Sequence, residues 1–325
     1  MNESLADDAA PLSKDRSAGL VIFGILTILL GALCAMLIPL MLASQAMAEK
    51  STGVQGNYQA IIPAVAVYGV LAVALVWLGI GSIRKRRWAR ALLLIGAWIW
   101  LVMGVLVMAT LAFLLPQIAA GASAQGQMPA GAKWILVLVP LIFMGIIFLI
   151  VPGILVFFYR SPHVKATFER LDPTPCWTDR CPLPVLALSL MLGIGAVSMI
   201  GMALTSRSVF PFFGLLLSGP SASAAMIVMV AVWAWCARAL FRLDPRGWLV
   251  VFAVICLFAI SHMITYSFHD ITEVYGLMGY TPQQREQIAK YSFLKNGVMA
   301  WSALIWTLPM LGYLLYVKKY FRPAR

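Results

Sequence analysis

Charge is what this chain has least of. Asp, Glu, Lys and Arg make up 11% of its 325 residues, against about 25% in soluble domains. All 12 carboxylates, at 3, 7, 8, 15, 49, 169, 172, 179, 244, 270, 273 and 286, lie outside the long apolar runs or at their ends. No lysine sits in the middle of such a run either. Proton- and sodium-coupled carriers usually hold a titratable or anionic group near the bilayer midplane. The absence argues against that class, leaving only backbone carbonyls at broken helices as sodium ligands.

Chemical signatures are equally scarce. The sequence contains no P-loop, dinucleotide fingerprint, G-x-S-x-G elbow or H-E-x-x-H pair, so no cofactor is implied. Gly193-Ile194-Gly195 belongs to a small-residue stripe with Ser189 and Ala196, a pattern for close helix packing. That stripe marks span five as a candidate central helix. A bis-histidine haem needs a second histidine on a facing helix, and three histidines in all do not supply one. The five cysteines give no disulfide framework. Cys34, Cys236 and Cys256 lie in apolar runs, where a thiol acts as a small hydrophobe. Cys176 and Cys181 share a loop expected in the reducing cytoplasm. With His163 nearby they suggest a zinc loop, but the spacing is not C-x2-C and a fourth ligand is missing. Packing of that loop, with Trp177, on the membrane face is the plainer reading.

What is abundant is apolar surface, at 62% of residues, too much for a globule in water to bury. Eight runs stand out: Ala18–Ala43, Ile61–Ile83, Ala91–Leu115, Trp134–Tyr159, Val185–Leu204, Pro220–Phe241, Trp248–Phe268 and Val298–Val317. Each has about 20 or more residues, enough at ~1.5 Å per residue to cross ~30 Å of hydrocarbon. Backbone hydrogen bonding in lipid permits helices or closed barrels, and continuous rather than alternating runs select helices. The fold class is therefore all-α, a polytopic helical membrane protein of about eight transmembrane helices. The first run, despite Ala46-Met47-Ala48 after it, exceeds the ~7–15 apolar residues of a signal peptide and is expected to remain a span. Trp88, Trp134 and Trp248 fall at span ends, where indoles favour the interface. Trp98, Trp100, Trp233, Trp235, Trp301 and Trp306 lie deeper, where one or two could line a pocket.

Arg84-Lys85-Arg86-Arg87-Trp88-Ala89-Arg90 packs five cations into a turn between two spans. Asp244-Pro245-Arg246-Gly247-Trp248 echoes it. With eight spans, 18 of the 24 cations fall on one side of the membrane and 6 on the other. The positive-inside rule then predicts an inner (plasma) membrane protein with both termini cytoplasmic. The net charge of +12 does not indicate nucleic acid, because the cations occupy short turns rather than one continuous face. The bilayer itself is the first partner.

The expected organisation is a disordered cytoplasmic tail at 1–17, a first four-helix half at 18–159, a cytoplasmic connector with a short interfacial helix at 160–184, a second half at 185–317, and a basic tail at 318–325. Pro152 to Tyr159 and Pro309 to Tyr316 share a spacing of seven, each followed by cations. An internal repeat of four-span units in the same orientation would explain both. In the connector, Ser161-Pro162 starts a helix with Val164, Phe168 and Leu171 on one face and Lys165, Glu169 and Arg170 on the wet side. Thr281-Pro282-Gln283-Gln284 opens another that is expected to run to about Tyr291. The stretch from Phe210 to Leu217 is too short to cross and is expected to dip into the interface.

One polar constellation remains, at the outer end of span seven. Spacings of four, three and four place His262, Tyr266, His269 and Glu273 on one helical stripe. His269 and Glu273, with Asp270, are candidate metal ligands, although zinc takes three or four. His262 lies about 10 Å deeper than His269 along the axis, too far to share an ion. Its alternative role is a hydrogen bond to a neighbouring span. The uncharged interior with deep aromatics favours a protein that binds or transports an apolar or amphipathic small molecule or lipid. A scaffold or sensor subunit, docking a cytoplasmic protein partner through its basic loops and the 161–171 helix, is the alternative. A metal-dependent membrane enzyme at the outer face is the third reading, and the balance leans away from an enzyme.

Overall fold

The computed structural model describes residues 15–52, 58–124, 133–204, 208–289 and 296–321. Among them, eight helical segments are long and apolar enough to cross a membrane, so the chain is an all-α, multi-pass membrane protein. Large apolar side chains point outward along these helices: Phe157 is 85% exposed and Val70 72%. Such a surface is wrong for water and right for lipid. The chain divides into two compact units, Met1–Asp179 and Arg180–Arg325.

In the first unit, α1 (Ser17–Thr52) pairs with α2 (Tyr58–Ile83). Glycine permits their backbones to touch: a Cβ on Gly79 would lie 2.6 Å from the Gly24 carbonyl oxygen, and one on Gly24 2.9 Å from that of Gly79. Close approach of this kind drives helix association where lipid removes the hydrophobic incentive. Helix α3 (Arg87–Ala124) packs on a composite span: α4 (Lys133–Gly145), a π-helical turn (Ile146–Ile150) and α5 (Val151–Arg160). Pro152 has no N–H to give the Phe148 carbonyl four residues back, and the helix widens there. Gly104 of α3 lies directly against that carbonyl, leaving no room for a side chain.

Helix α6 (Pro162–Leu171) closes the basic end. Val164 and Phe168 are 1% exposed, covered by protein, while Leu171 is 43% exposed. The face expected at the lipid boundary is thus largely packed on the protein itself. Ser161 occupies the N-cap position but makes no side-chain cap bond. The fixed point of this end is Tyr159, fully buried, 2.8 Å from the Ser82 hydroxyl, which reaches the Leu20 carbonyl. A 3-10 turn (Trp177–Arg180) follows.

In the second unit, α7 (Leu183–Ala203) pairs with α8 (Pro220–Phe241), and α9 (Pro245–Phe268) with α12 (Asn296–Val317). Ser189 donates to the Ala237 carbonyl at 2.7 Å and Ala196 is buried, but a Cβ on Gly193 would meet nothing within 4 Å. Ile194 is 64% exposed, so one face of α7 is open among the described residues. Between α7 and α8 lies an antiparallel hairpin, β1 (Val209–Phe212) and β2 (Leu215–Ser218). The stretch over 210–217, too short to cross, thus folds as a hairpin. Two short helices, α10 (Ile271–Leu277) and α11 (Pro282–Ala289), connect α9 to α12. Residues 290–295, including the Tyr291 end expected for the second of these helices, and residues 1–14 of the polar tail lie outside the described residues.

The two basic turns share one backbone design. After α2, Arg84 N bonds Ile80 O, Arg86 N bonds Gly81 O, and Lys85 sits at φ 57°. After α8, Arg242 N bonds Arg238 O, Asp244 N bonds Ala239 O, and Leu243 sits at φ 59°. Both are Schellman-type ends with a non-glycine residue in the left-handed position. Across each turn, one glycine faces one alanine: Gly81 with Ala89, and Gly247 with Ala239.

Candidate functional site

The polar constellation is built around a break in the helix. Helix α9 stops at Phe268, and His269 takes extended backbone (φ −115°, ψ 139°). Asp270 then caps α10, its Oδ1 accepting from Thr272 N at 2.8 Å. The stripe expected through His262, Tyr266, His269 and Glu273 is therefore divided. His262 Nε2 lies 3.2 Å from the Met299 carbonyl of α12, the neighbouring-span bond anticipated for it. Tyr266, its ring 4.5 Å from that of His262, is buried with Val209, Ile271, Val274 and Ala300.

A different stripe of α9 does the positioning. Ser261, Thr265 and His269 are spaced by four and meet the tip of the hairpin. Phe213 and Gly214, the two turn residues, have φ of 43° and 89°, as a type I′ turn requires. For phenylalanine that conformation costs about 1–2 kcal/mol. Three side chains offset it. Phe213 N donates to Ser261 Oγ at 2.9 Å, Gly214 N to Thr265 Oγ1 at 3.0 Å, and the Gly214 carbonyl accepts from His269 Nε2 at 3.0 Å. Ser261 also donates to the Pro211 carbonyl at 3.2 Å. Ser261 and Thr265 are 4% and 0% exposed, so the tip's amides find partners without water.

The other ring nitrogen of His269, Nδ1, lies 2.7 Å from Glu273 Oε2. A carbonyl and a carboxylate both accept, so only the imidazolium satisfies both bonds. The Glu273 bond, followed by the Gly214 carbonyl, accordingly raises the His269 pKa above its ordinary value.

His269 and Glu273 line an open cleft of about 480 Å³ with Leu215, Leu216, Gly276, Leu277 and Arg285, a volume within the ~300–1,000 Å³ usual for small-molecule sites. Arg285 arrives from α11, whose path is set by the turn at Gly279 (φ 86°) and by Tyr280 N bonding Tyr275 O at 3.0 Å. Gly276 makes room for it, since a Cβ there would lie 3.1 Å from Arg285 Nη1. The Arg285 Nε is buried without a hydrogen-bond partner among the described residues, and no ion pair joins its guanidinium to a carboxylate among them.

Of the sequence candidates, His269 and Glu273 come together, Asp270 turns to its own helix, and His262 and Tyr266 do not line the cleft. Among the described residues, no three His, Cys, Asp or Glu side chains converge as a metal site would need. Cys176, Cys181 and His163 form no such group either, and burial pushes the Cys181 thiol up to about 11. Ser261, Thr265 and Arg285 were not anticipated, although the 261/265/269 spacing was open to inspection.

At the basic end of the first unit, Arg87 is enclosed by the protein's own acceptors. Glu169 Oε1 lies 3.4 Å from Nη2, Asp179 Oδ2 3.6 Å from Nε and the Pro173 carbonyl 3.4 Å from Nη1. Asp172 accepts from Arg87 N at 3.2 Å, capping α3 from a distant loop because Arg86, at the position before the helix, has no acceptor to offer. Part of the basic surface open to a docking partner is therefore already occupied. Comparison with protein-family models, curated proteins and solved structures gave no match.

Proposed function

We propose that this membrane protein binds an apolar or amphipathic small molecule or lipid, and that the cleft beside His269 is its site. The observation that carries this reading is the cleft's lining: Leu215, Leu216 and Leu277 beside His269, Glu273 and Arg285. Apolar walls with a few convergent polar groups are the usual make-up of a ligand site. Placed at the end of a membrane span, such a lining suits a molecule with one greasy and one polar end. The test is native mass spectrometry of protein extracted in a neutral detergent. Retained lipid or small molecule, lost on Leu216→Asp, is the expected result; an empty spectrum for the wild type overturns the reading.

The arrangement in the cell belongs to the same proposal. The cation bias of the turns supports an inner (plasma) membrane location, with the 84–90 and 242–246 turns and both termini in the cytoplasm. The cleft would then open on the outer side. A duplicated four-span unit is supported by the matched turns and their exchanged Gly/Ala pairs.

A further inference from the structure

Resting on that binding site, we infer that its ligand is an anionic amphiphile, a carboxylate or phosphate head on an aliphatic tail, and that Arg285 sets this specificity. His269 and Glu273 neutralise one another at 2.7 Å, leaving Arg285 as the cation of the cleft without a carboxylate of its own among the described residues. A guanidinium stays ionised in proteins, so it cannot escape the mismatch by losing its proton.

Its Nε is covered and meets no acceptor. The guanidinium lines the cleft, so an anion there can meet its terminal nitrogens. Carboxylates and phosphates match that planar fork and form charge-assisted bonds with it. The tail would lie on Leu215, Leu216 and Leu277, which line the same space. The Glu273 carboxylate beside the head disfavours a doubly charged ligand, and its bond to His269 keeps it from claiming Arg285.

The test compares laurate, dodecanol and acetate on delipidated protein in a neutral maltoside, titrated by native mass spectrometry. Laurate is expected to bind at least about tenfold more tightly than dodecanol, as charge-assisted bonds imply. Arg285→Gln should remove that preference and Arg285→Lys should retain most of it. Acetate alone should not bind, because it lacks the tail. Equal binding of laurate and dodecanol by the wild type overturns the inference while sparing the binding site, and this comparison does not depend on the variants folding. Binding of neither amphiphile overturns the site itself. A parallel arm in nanodiscs, with and without anionic phospholipid, identifies the source: competition with laurate only in the anionic discs marks a bilayer lipid as an occupant and supports the inference. Equal competition from neutral discs counts against it.

Discussion

The Gly214 carbonyl and the His269 ring meet at 3.0 Å, tying the tip of a β-hairpin to the end of a membrane-spanning helix. The imidazolium holds Gly214 on one side and Glu273, at 2.7 Å, on the other. Arg285 is the other charged group lining the cleft.

This tie is predicted to be pH-dependent. His269 has a folded-state pKa raised above its ordinary 6.5. Its contribution is therefore complete below about pH 6.5 and is lost as pH rises through the raised value. Amide exchange over 209–218, corrected for the intrinsic pH effect, should accelerate across that window in the wild type. In His269→Gln it should already be fast at low pH and show no such step. An unchanged profile in the wild type would remove the imidazolium from this role.

Thr265 offers a cleaner structural test, because valine has nearly its shape. Thr265→Val leaves the Gly214 N–H without the acceptor it now has at 3.0 Å. A buried donor left unpaired costs about 1–3 kcal/mol. The melting temperature in detergent should fall, and Ser261→Ala should produce a similar fall through Phe213. Full stability in Thr265→Val would show that the tip finds other partners.

These residues also mark what could be read from the sequence. The eight spans were legible because hydrocarbon thickness sets a length that few soluble helices meet by chance. Their ends were less so: α3 starts at Arg87 rather than Ala91, since Asp172, 85 positions away, caps it. The hairpin was illegible because Phe213-Gly214 lacks the Asn-Gly or Asp-Gly signature. Its positive φ depends on Ser261 and Thr265, 48 and 51 positions away. His269 and Glu273 were legible as a pair at helical spacing. Arg285 was not, because only the turn at Gly279 brings α11 back beside them.

Sidedness is open to a direct experiment. Reporter fusions ending at residue 87 and at residue 285 should report opposite compartments, with 87 in the cytoplasm. The expectation follows from the cation count of the turns, since lysine and arginine resist translocation. Both reporters on one side would contradict the proposed topology and the placement of the cleft.

The matched turns differ in which helix carries the glycine. A Cβ on Gly247 would lie 2.6 Å from the Ala239 Cβ, and one on Gly81 2.8 Å from the Ala89 Cβ. Each turn thus holds one methyl group between its helices, on opposite sides in the two cases, and a Cβ on Gly247 would also lie 3.2 Å from the backbone of Ala239 and Leu240. Gly247→Ala puts two methyls where one fits and should destabilise the second unit, by about 1–3 kcal/mol for an overpacked contact. Ala239→Gly alone should cost roughly 1 kcal/mol in helix propensity. Combined, the two substitutions reproduce the arrangement of Gly81 and Ala89, so the double variant should be more stable than Gly247→Ala alone. A double-mutant cycle read by thermal melting measures that coupling. Simple additivity would mean that the two turns, although alike in hydrogen bonding, do not obey the same packing rule.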